Sequence, residues 1–128
     1  MQELLVYEYA VIRVVPRVER EEFINVGVIV FCKKTRFLET AVSLDLKKLK
    51  CLNPEADAEG IRDNLRAFCE IAAGERRSRS GIALLDAASR FRWLTATRST
   101  LIQCSKVHPG MAETTNELAK QLLEKFVL

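Results

Sequence analysis

Arginine, aromatic and hydroxyl side chains alternate in an eleven-residue segment of this chain. The segment reads Arg90-Phe91-Arg92-Trp93-Leu94-Thr95-Ala96-Thr97-Arg98-Ser99-Thr100. Guanidinium groups offer paired planar donors to phosphate or carboxylate, hydroxyl groups add single donors, and an aromatic ring can stack on a base. The pattern therefore predicts an anion-binding surface. The same residues allow another interpretation, in which Phe91 and Trp93 fill the core while the arginines point outward and pair with acids.

A second segment holds the single histidine of the chain. It reads Gln103-Cys104-Ser105-Lys106-Val107-His108-Pro109-Gly110. Because Pro109-Gly110 is typical of a turn, we expect a loop here to display Ser105 and His108 to a ligand. His108 is also the candidate general base, a role that requires a substrate proton within hydrogen-bond reach. A lone histidine beside a turn is otherwise a surface or capping residue, and both interpretations remain open.

A third segment, near the start of the chain, combines charged side chains with a glycine. Gly27 interrupts an apolar run, which predicts a bulge or a close backbone approach. We expect Asn25 to hold the adjoining loop through backbone hydrogen bonds, and Arg17 to join the basic surface. The paired acids Glu21 and Glu22 lack the spacing of a metal site, so a solvated turn is favoured.

Positive charge is concentrated in one part of the chain. The net charge is only +3, but residues 76–108 contain seven basic residues and one acid, Asp86, which gives +6. The remaining residues therefore sum to −3. This asymmetry indicates an anionic partner for the second half of the chain.

The cysteines, at positions 32, 51, 69 and 104, form no C-x-x-C pair, and no cysteine cluster surrounds the histidine. We therefore expect reduced thiols and no zinc site. The chain also lacks a Gly-rich phosphate loop and the G-x-S-x-G and H-E-x-x-H signatures. We expect neither a metal nor a cofactor.

Hydrophobic and turn patterns predict four strands. They are expected over residues 5–15, 24–32, 37–44 and 99–104, with a hairpin turn at 33–36. The first strand is largely apolar on both faces, so we expect it in the centre of a sheet.

Two helices are predicted in the middle of the chain. Asp45 caps a short helix that ends near Leu52, and the next helix begins with Asn53 as N-cap and Pro54 in its first turn. The apolar stripe of this second helix is Ile61, Leu65, Phe68 and Ala72. Gly74 ends it.

Two further helical segments follow a polar, arginine-rich loop over residues 75–80. Residues 82–88 form two helical turns, and Thr114 with Glu117 forms a capping box for a closing helix. Together the elements predict an α+β fold in a single domain over residues 1–128. Its core is an antiparallel β-meander sheet of about four strands with helices packed on one face.

No apolar run of the sequence is long enough to cross a bilayer. The first five residues lack the basic region and the cleavage site of a signal peptide. We therefore expect a cytoplasmic protein without a membrane partner.

The chain resembles the bacterial family known as domain of unknown function 3037. The resemblance covers nearly the whole chain. It rests on Tyr7-Glu8-Tyr9 through Arg13-Val14-Val15-Pro16, on Glu21-Glu22-Phe23-Ile24-Asn25-Val26-Gly27-Val28, on Arg90-Phe91-Arg92-Trp93-Leu94 with Arg98-Ser99-Thr100, and on residues 105–110. One departure is Lys106, where the family usually has a proline before the Val-His pair. The resemblance implies no activity, but similar proteins are often encoded beside HipA-like kinase-fold proteins, which implies such a partner by association.

The leading interpretation is an accessory or binding module whose ligand is a nucleotide, a nucleic acid or a phosphorylated partner. The expected ligand-binding residues are Arg13, Arg17, Asn25, Arg90, Arg92, Trp93, Arg98, Ser99, Thr100, Ser105 and His108. We also expect Arg98 and His108 to reach into one pocket. One alternative is an enzyme acting on a phosphate-containing substrate, with His108 as base and the arginines stabilising developing charge. Another is a structural subunit that buries Phe91 and Trp93 in a protein interface.

Overall fold

The computed structural model describes residues 3–75, 78 and 80–128, and within them it shows a five-stranded antiparallel sheet and four α-helices. The strands are β1 Leu5–Arg17, β2 Glu22–Cys32, β3 Phe37–Val42, β4 Ile102–Cys104 and β5 His108–Ala112. The helices are α1 Leu46–Leu52, α2 Ala58–Ala73, α3 Ala87–Thr95 and α4 Leu118–Phe126, and short 3-10 turns cover Val18–Arg20 and Gly81–Leu84. The α+β class is confirmed. In the predicted arginine-rich loop, Arg76, Arg77 and Arg79 lie outside the described residues.

Strand β1 is long enough, at 13 residues, to pair with three other strands. The strand order is β3-β2-β1-β4. On the β4 side of the sheet, β4 pairs with the second half of β1, where Ile12 faces Cys104. Strand β5 pairs with the first half, where Tyr9 faces His108. The predicted central position of the first strand and the hairpin turn at 33–36 are confirmed.

Strand β5 corrects the prediction of a turn at Pro109-Gly110. Both residues lie inside the strand, opposite Glu8 and Tyr7 of β1. A proline is tolerated in a strand that lies at the edge of a sheet, where its missing N–H breaks no ladder. The ring of Tyr7 occupies the space that a side chain at Gly110 would need. The fourth strand is also shorter than predicted, because residues 99–101 precede β4 without strand pairing.

Helices α1, α2 and α3 cover one face of the sheet, as predicted. The sheet contributes alternate residues of β1, such as Ala10, Ile12 and Val14, together with Phe31 of β2. The helices contribute Leu49, Ile61, Leu65, Phe68, Ile71, Ala72, Phe91 and Leu94. The predicted apolar stripe of the second helix is therefore the surface that packs on the sheet.

Helix α4 packs on the opposite face of the sheet, so the expectation that all helices share one face is corrected. A second apolar cluster contains Val28 and Val30 of β2 with Leu118, Ala119 and Leu122 of α4. Tyr7, Tyr9 and Phe126 lie at its border. The physical reason is the two-sided apolar character of β1 and β2, because a second apolar face also has to be removed from water.

Helix α2 begins four residues later than predicted. Asn53 ends α1, and its Oδ1 accepts a hydrogen bond from the N–H of Glu55 at 3.1 Å, which closes a turn. Asp57 is the true N-cap, and its Oδ1 accepts from the N–H of Gly60 at 3.1 Å. Asn-Pro is equally typical of a turn and of a helix start, and here the turn is formed.

Two predictions about the later helices are also corrected. Residues 82–84 belong to a 3-10 turn, Leu85 and Asp86 interrupt it, and α3 then runs from Ala87 into the segment of alternating arginines and aromatics. Before α4, the hydroxyl of Thr114 accepts from Asn116 N–H, and Glu117 has a left-handed conformation with φ of 58°, so the capping box does not form. None of the helices in the described part of the chain is long and apolar enough to cross a membrane.

A bulge in β2 determines the direction of the side chains near the end of the sheet. Ile12 pairs with Gly27, whereas the next residue, Arg13, pairs with Asn25, so Val26 is an extra residue. A Cβ atom on Gly27 would lie 2.7 Å from the carbonyl oxygen of Ala41 on β3. The predicted bulge and close approach are both confirmed.

Candidate functional site

A groove between α2, α3 and the segment before β4 brings three predicted site residues together. We define this Trp93 groove by its lining residues Asn64, Ala67, Phe68, Ile71, Trp93, Leu94, Arg98, Thr100, Leu101 and Ile102. Its volume is about 420 Å³. Most of the lining residues are apolar, and three polar side chains, those of Asn64, Arg98 and Thr100, line the same groove and could contact a ligand.

Helix α3 and Arg98 together shape the mouth of the groove. Phe91 and Leu94 are buried in the core, whereas Trp93 remains 41% exposed on the side that faces α2. The guanidinium carbon of Arg98 lies 4.1 Å from the centre of the Trp93 ring, and the guanidinium also donates to the Trp93 carbonyl at the end of α3. A guanidinium has five N–H donors, so this arrangement orients Arg98 and leaves donors for a ligand.

Two hydrogen bonds hold the segment that links α3 to β4. The hydroxyl of Thr100 donates to the carbonyl of Ile102 at 2.7 Å, and the side-chain amide of Gln103 donates to the carbonyl of Thr100 at 2.8 Å. The wall of the groove is therefore tied to the start of β4.

A second depression lies on the α4 side of the same edge of the sheet. We define this Arg13 pocket by Arg13, Val15, Val18, Glu21, Phe23, Ser99 and Gln103, and its volume is about 290 Å³. The guanidinium carbon of Arg13 lies 4.1 Å from the centre of the Phe23 ring. Its Nε is buried and has no hydrogen-bond partner among the residues that the structure describes.

Asn25 shows on which face of the sheet the Arg13 pocket lies. Asn25 is the cross-strand partner of Arg13, and its side-chain amide donates to the carbonyl of Phe126, at the end of α4, at 3.3 Å. Cross-strand partners project from the same face, so Arg13 also points to the α4 side. Asn25 therefore attaches α4 to the sheet and does not tie down a loop as predicted.

The charges of the arginines of both depressions act on the half-buried thiol of Cys104. Burial raises the pKa of Cys104 to about 12, and the positive charges of Arg98 and Arg13 act in the opposite direction. The arginines of the two depressions therefore both act on one thiol in β4, at the edge of the sheet.

Two of the predicted arginines are used within the protein. Arg92 donates two parallel hydrogen bonds, of 2.9 and 2.7 Å, to the carboxylate of Glu8 on β1. These bonds lower the pKa of Glu8. Arg90 donates to the carbonyl of Leu85 at 2.6 Å. The alternative in which the arginines pair with acids therefore describes Arg92, whereas Arg90 is held by a backbone carbonyl. Neither lines the Trp93 groove or the Arg13 pocket.

Arg17 lies apart from both depressions. It is exposed at the end of β1, and its guanidinium nitrogen is 3.4 Å from the side-chain oxygen of Asn53 at the end of α1. The predicted basic surface is therefore divided, because only Arg13 and Arg98 of its arginines line a cavity at this edge.

Ser105 has a structural role and does not face a ligand. Its buried hydroxyl accepts a hydrogen bond from the N–H of Val11 at 2.8 Å and donates to the carbonyl of Lys106 at 2.9 Å. These bonds join β1 to the short connection between β4 and β5. The expectation that Ser105 contacts a ligand is corrected, because its hydrogen-bonding groups serve the backbone.

His108 lies on the α4 side of the sheet, away from Arg98. Its ring centre is 5.6 Å from that of Tyr9, which in turn stacks on Phe126 of α4. Arg98 lies on the opposite face, over Trp93, so the two residues do not share a pocket. Tyr9 is four residues from Arg13 along β1, or about 13 Å, so His108 is also separate from the Arg13 pocket. The Pro109-Gly110 pair does not reverse the chain, and this is why the expected convergence fails.

Phe23 and Asn64 are among the lining residues that sequence reasoning did not assign to a site. Phe23 is 44% exposed in the Arg13 pocket, and Asn64 lies on the exposed side of α2 at the groove. The available signal was an aromatic residue directly after Glu21 and Glu22, in a segment that was interpreted as a solvated turn.

The cysteines are free thiols, with Cys32 buried, Cys51 exposed, and Cys69 and Cys104 half-buried. Among residues 3–75, 78 and 80–128, no three His, Cys, Asp or Glu side chains are close enough together to hold a metal ion.

The fold and the site define a small α+β protein whose antiparallel sheet has helices on both faces and two arginine–aromatic depressions at one edge. The family model described as "Protein of unknown function (DUF3037)" matches residues 9–127, so the chain belongs to that family. The resemblance stated from the sequence is thus confirmed. A search of curated proteins found no match, and a search of solved structures found none either.

Proposed function

We propose that this protein is a binding module for a nucleotide-like ligand, an anion that carries a flat ring, and that the ligand occupies the Trp93 groove. One observation carries the proposal. The exposed ring of Trp93 and the guanidinium of Arg98 lie against each other, 4.1 Å apart, at the mouth of a 420 Å³ groove with an apolar floor.

The chemistry of the groove suits each part of such a ligand. A base can stack on the Trp93 ring or on the plane of the Arg98 guanidinium, with Phe68 and Ile71 as apolar surface below. A base stacked on an aromatic side chain contributes about 1–3 kcal/mol. A phosphate can accept the remaining donors of Arg98, and hydrogen bonds to charged groups contribute about 1.5–3 kcal/mol. Asn64 and Thr100 offer further polar contacts for selectivity.

The geometry favours a binding role for this groove over a catalytic one. His108, the candidate base, is separated from the groove by the sheet. A general base must lie within hydrogen-bond reach of the proton that it removes. The structural-subunit alternative loses one of its two aromatic anchors, because Phe91 is fully buried in the protein's own core.

Trp93 is the only tryptophan of the chain, so its fluorescence reports directly on the groove. We expect adenosine monophosphate to change the Trp93 emission in a saturable way. Arg98→Ala should weaken this binding roughly ten-fold or more, because about 1.5–3 kcal/mol of charged hydrogen bonding is lost. The binding should also weaken with added salt.

Arg62→Ala is the matched control. Arg62 is exposed on α2, about 200° around the helix axis from the groove residue Asn64. Like Arg98→Ala, this variant removes one positive charge, but from the side of α2 that faces away from the groove. Its affinity should stay within about two-fold of the wild type. Equal losses in the two arginine variants, or no saturable signal with the wild type, would contradict the proposal.

Family resemblance supports one further part of the proposal, that the module works beside a HipA-like kinase-fold protein in the bacterial cytoplasm. Tagged protein from a host that encodes both chains should retain the kinase-fold protein through purification. If both proteins are detected in the cell extract but the tagged chain is purified alone, the result would count against this partner.

A further inference from the structure

The structure points to a single strand of nucleic acid as the ligand, and we infer that the strand crosses the sheet edge from the Trp93 groove to the Arg13 pocket. This inference rests on the proposed function of the groove and extends it. Its basis is that each depression contains one arginine–aromatic pair and that residues 98–100 line both depressions.

The two pairs have the same composition and geometry. In each, a guanidinium carbon lies 4.1 Å from the centre of an aromatic ring, with Arg98 over Trp93 and Arg13 over Phe23. Both rings are more than one third exposed, although large aromatic side chains are usually well buried. Each pair therefore offers a surface for one base beside a donor group for one phosphate.

The two pairs also share a wall. Arg98 and Thr100 line the groove, while Ser99 between them lines the Arg13 pocket. Gln103 is the cross-strand partner of Arg13 and donates to the carbonyl of Thr100, so the wall is joined to both sites. A ligand that leaves one depression across this wall enters the other.

Neither arginine is neutralised by an acid within the described part of the chain. Arg20, Arg66 and Arg92 form ion pairs with carboxylates there, whereas Arg13 and Arg98 form none. Their donor groups are held by aromatic faces and, for Arg98, by a carbonyl. Unneutralised guanidinium groups beside exposed rings match the alternating bases and phosphates of a single strand.

Other phosphate ligands fit the pair of sites less well. A mononucleotide fills only one depression. In a duplex the faces of the bases are stacked inside the helix and are not accessible to Trp93 and Phe23. A phosphorylated peptide supplies an anion without a required flat ring in each depression.

One residue of the Arg13 pocket opposes this ligand. Glu21 is exposed and lines the same pocket, so its carboxylate repels a phosphate bound by Arg13. This gives a variant with the opposite expected sign: Glu21→Gln should tighten the binding of a strand.

The experiment compares thymidine monophosphate with oligothymidylates of two, four and eight nucleotides, using Trp93 fluorescence as the signal. We expect the affinity to rise roughly ten-fold or more between the mononucleotide and the four-nucleotide strand, because the second depression becomes occupied. Phe23→Leu, which keeps an apolar side chain but removes the ring, and Arg13→Ala should each abolish most of this gain and leave mononucleotide affinity unchanged. Glu21→Gln should increase strand affinity about two- to five-fold, and Arg62→Ala should change neither.

The results separate this inference from the proposed function. If mononucleotide binds in the groove, but strands bind no more tightly and Phe23→Leu and Arg13→Ala have no effect, the crossing strand is wrong while the groove stands. If Arg98→Ala leaves mononucleotide binding intact, the proposed function itself is wrong. Tighter binding of a duplex, or of a phosphorylated peptide, than of the eight-nucleotide strand would also overturn the inference. Circular dichroism of each variant confirms that the folded protein is being compared.

Discussion

The Glu8–Arg92 ion pair joins β1 to α3 through two parallel hydrogen bonds. Arg92 lowers the pKa of Glu8, so this carboxylate stabilises the folded state above its ordinary pKa, and the contribution is lost as pH falls through the lowered value. Both side chains are partly exposed, so we expect Glu8→Gln to reduce the free energy of unfolding by only about 0.5–1 kcal/mol near neutral pH. Urea denaturation measures this loss.

The pH dependence provides the check on this prediction. Once the pH has fallen below the lowered pKa of Glu8, the wild type and Glu8→Gln should have closely similar stabilities, because the wild-type carboxyl is then protonated as well. Glu113→Gln, at an exposed acid between β5 and α4, should show no such difference at either pH. A loss that persists unchanged in acid would mean that the charge of Glu8 is not its cause.

Residue types alone predicted which side chains lie together only where the partners are close in sequence. Trp93 and Arg98 are five residues apart and do contact each other. Arg92 and Ser105 were placed in the ligand surface, but their partners are 84 and 94 residues away along the chain. The sequence contains no local signal that Glu8 neutralises Arg92, and this depends on how β1 packs against α3.

Gly27 controls the bulge of β2 and the spacing between β2 and β3. A Cβ atom there would lie 2.7 Å from the carbonyl oxygen of Ala41 and equally close to a side-chain carbon of Val42. Because the first of these atoms is backbone, a methyl group forces the strands apart. We expect Gly27→Ala to lower the free energy of unfolding by about 1–3 kcal/mol in urea denaturation.

Gly81→Ala is the matched control for Gly27→Ala. A Cβ atom at Gly81 would meet no atom of the described part of the chain within 4 Å. This change should therefore be neutral, or slightly stabilising because alanine restricts the unfolded chain. If Gly27→Ala and Gly81→Ala lose the same free energy of unfolding, the loss comes from replacing a glycine at any position and not from the close approach of β2 and β3.

The elements that the sequence predicted well are those with a local pattern. Strands β1 to β3, their hairpin turn and the apolar stripe of α2 follow from periodicity and turn residues. Strand β5 was missed because Pro109-Gly110 is a turn signal, and only pairing with β1 makes an edge strand of it. Helix α3 was missed because its arginines and aromatics alternate with the two-residue period of a strand over residues 90–93.

At the scale of the whole molecule, the sheet is covered on both faces, and each face has its own apolar cluster. The two-sided apolar character of the first strand was evident in the sequence, but the element that covers the second face was not. Helix α4 has an apolar side that could pack on many apolar surfaces. It packs on Val28 and Val30 because helices α1 to α3 leave that face of the sheet uncovered. This arrangement also places Arg13 and Arg98 on opposite faces while they share one edge.

The four cysteines differ in how far this two-sided fold buries them, and this leads to a prediction about thiol reactivity. Thiolate is the reactive form, so exposure and pKa together decide the rate. Cys51 is exposed, whereas burial raises the pKa of Cys69 and raises that of Cys104 to about 12, and Cys32 lies buried in β2. We therefore expect one fast-reacting thiol in the native protein with an aromatic disulfide reagent near pH 7.5, and four in denaturant without reductant.

The slow thiols should report on the stability of the whole fold. Cys32 lies in a strand between β1 and β3, so its sulfur becomes accessible only when the sheet opens, and its rate of modification should rise with urea in parallel with global unfolding. Cys51→Ser should remove the fast phase and leave three thiols in denaturant. If native Cys51→Ser protein still contains a fast-reacting thiol, the sheet or the groove opens locally. Fewer than four thiols in the unfolded wild type would show that the cysteines are not all free.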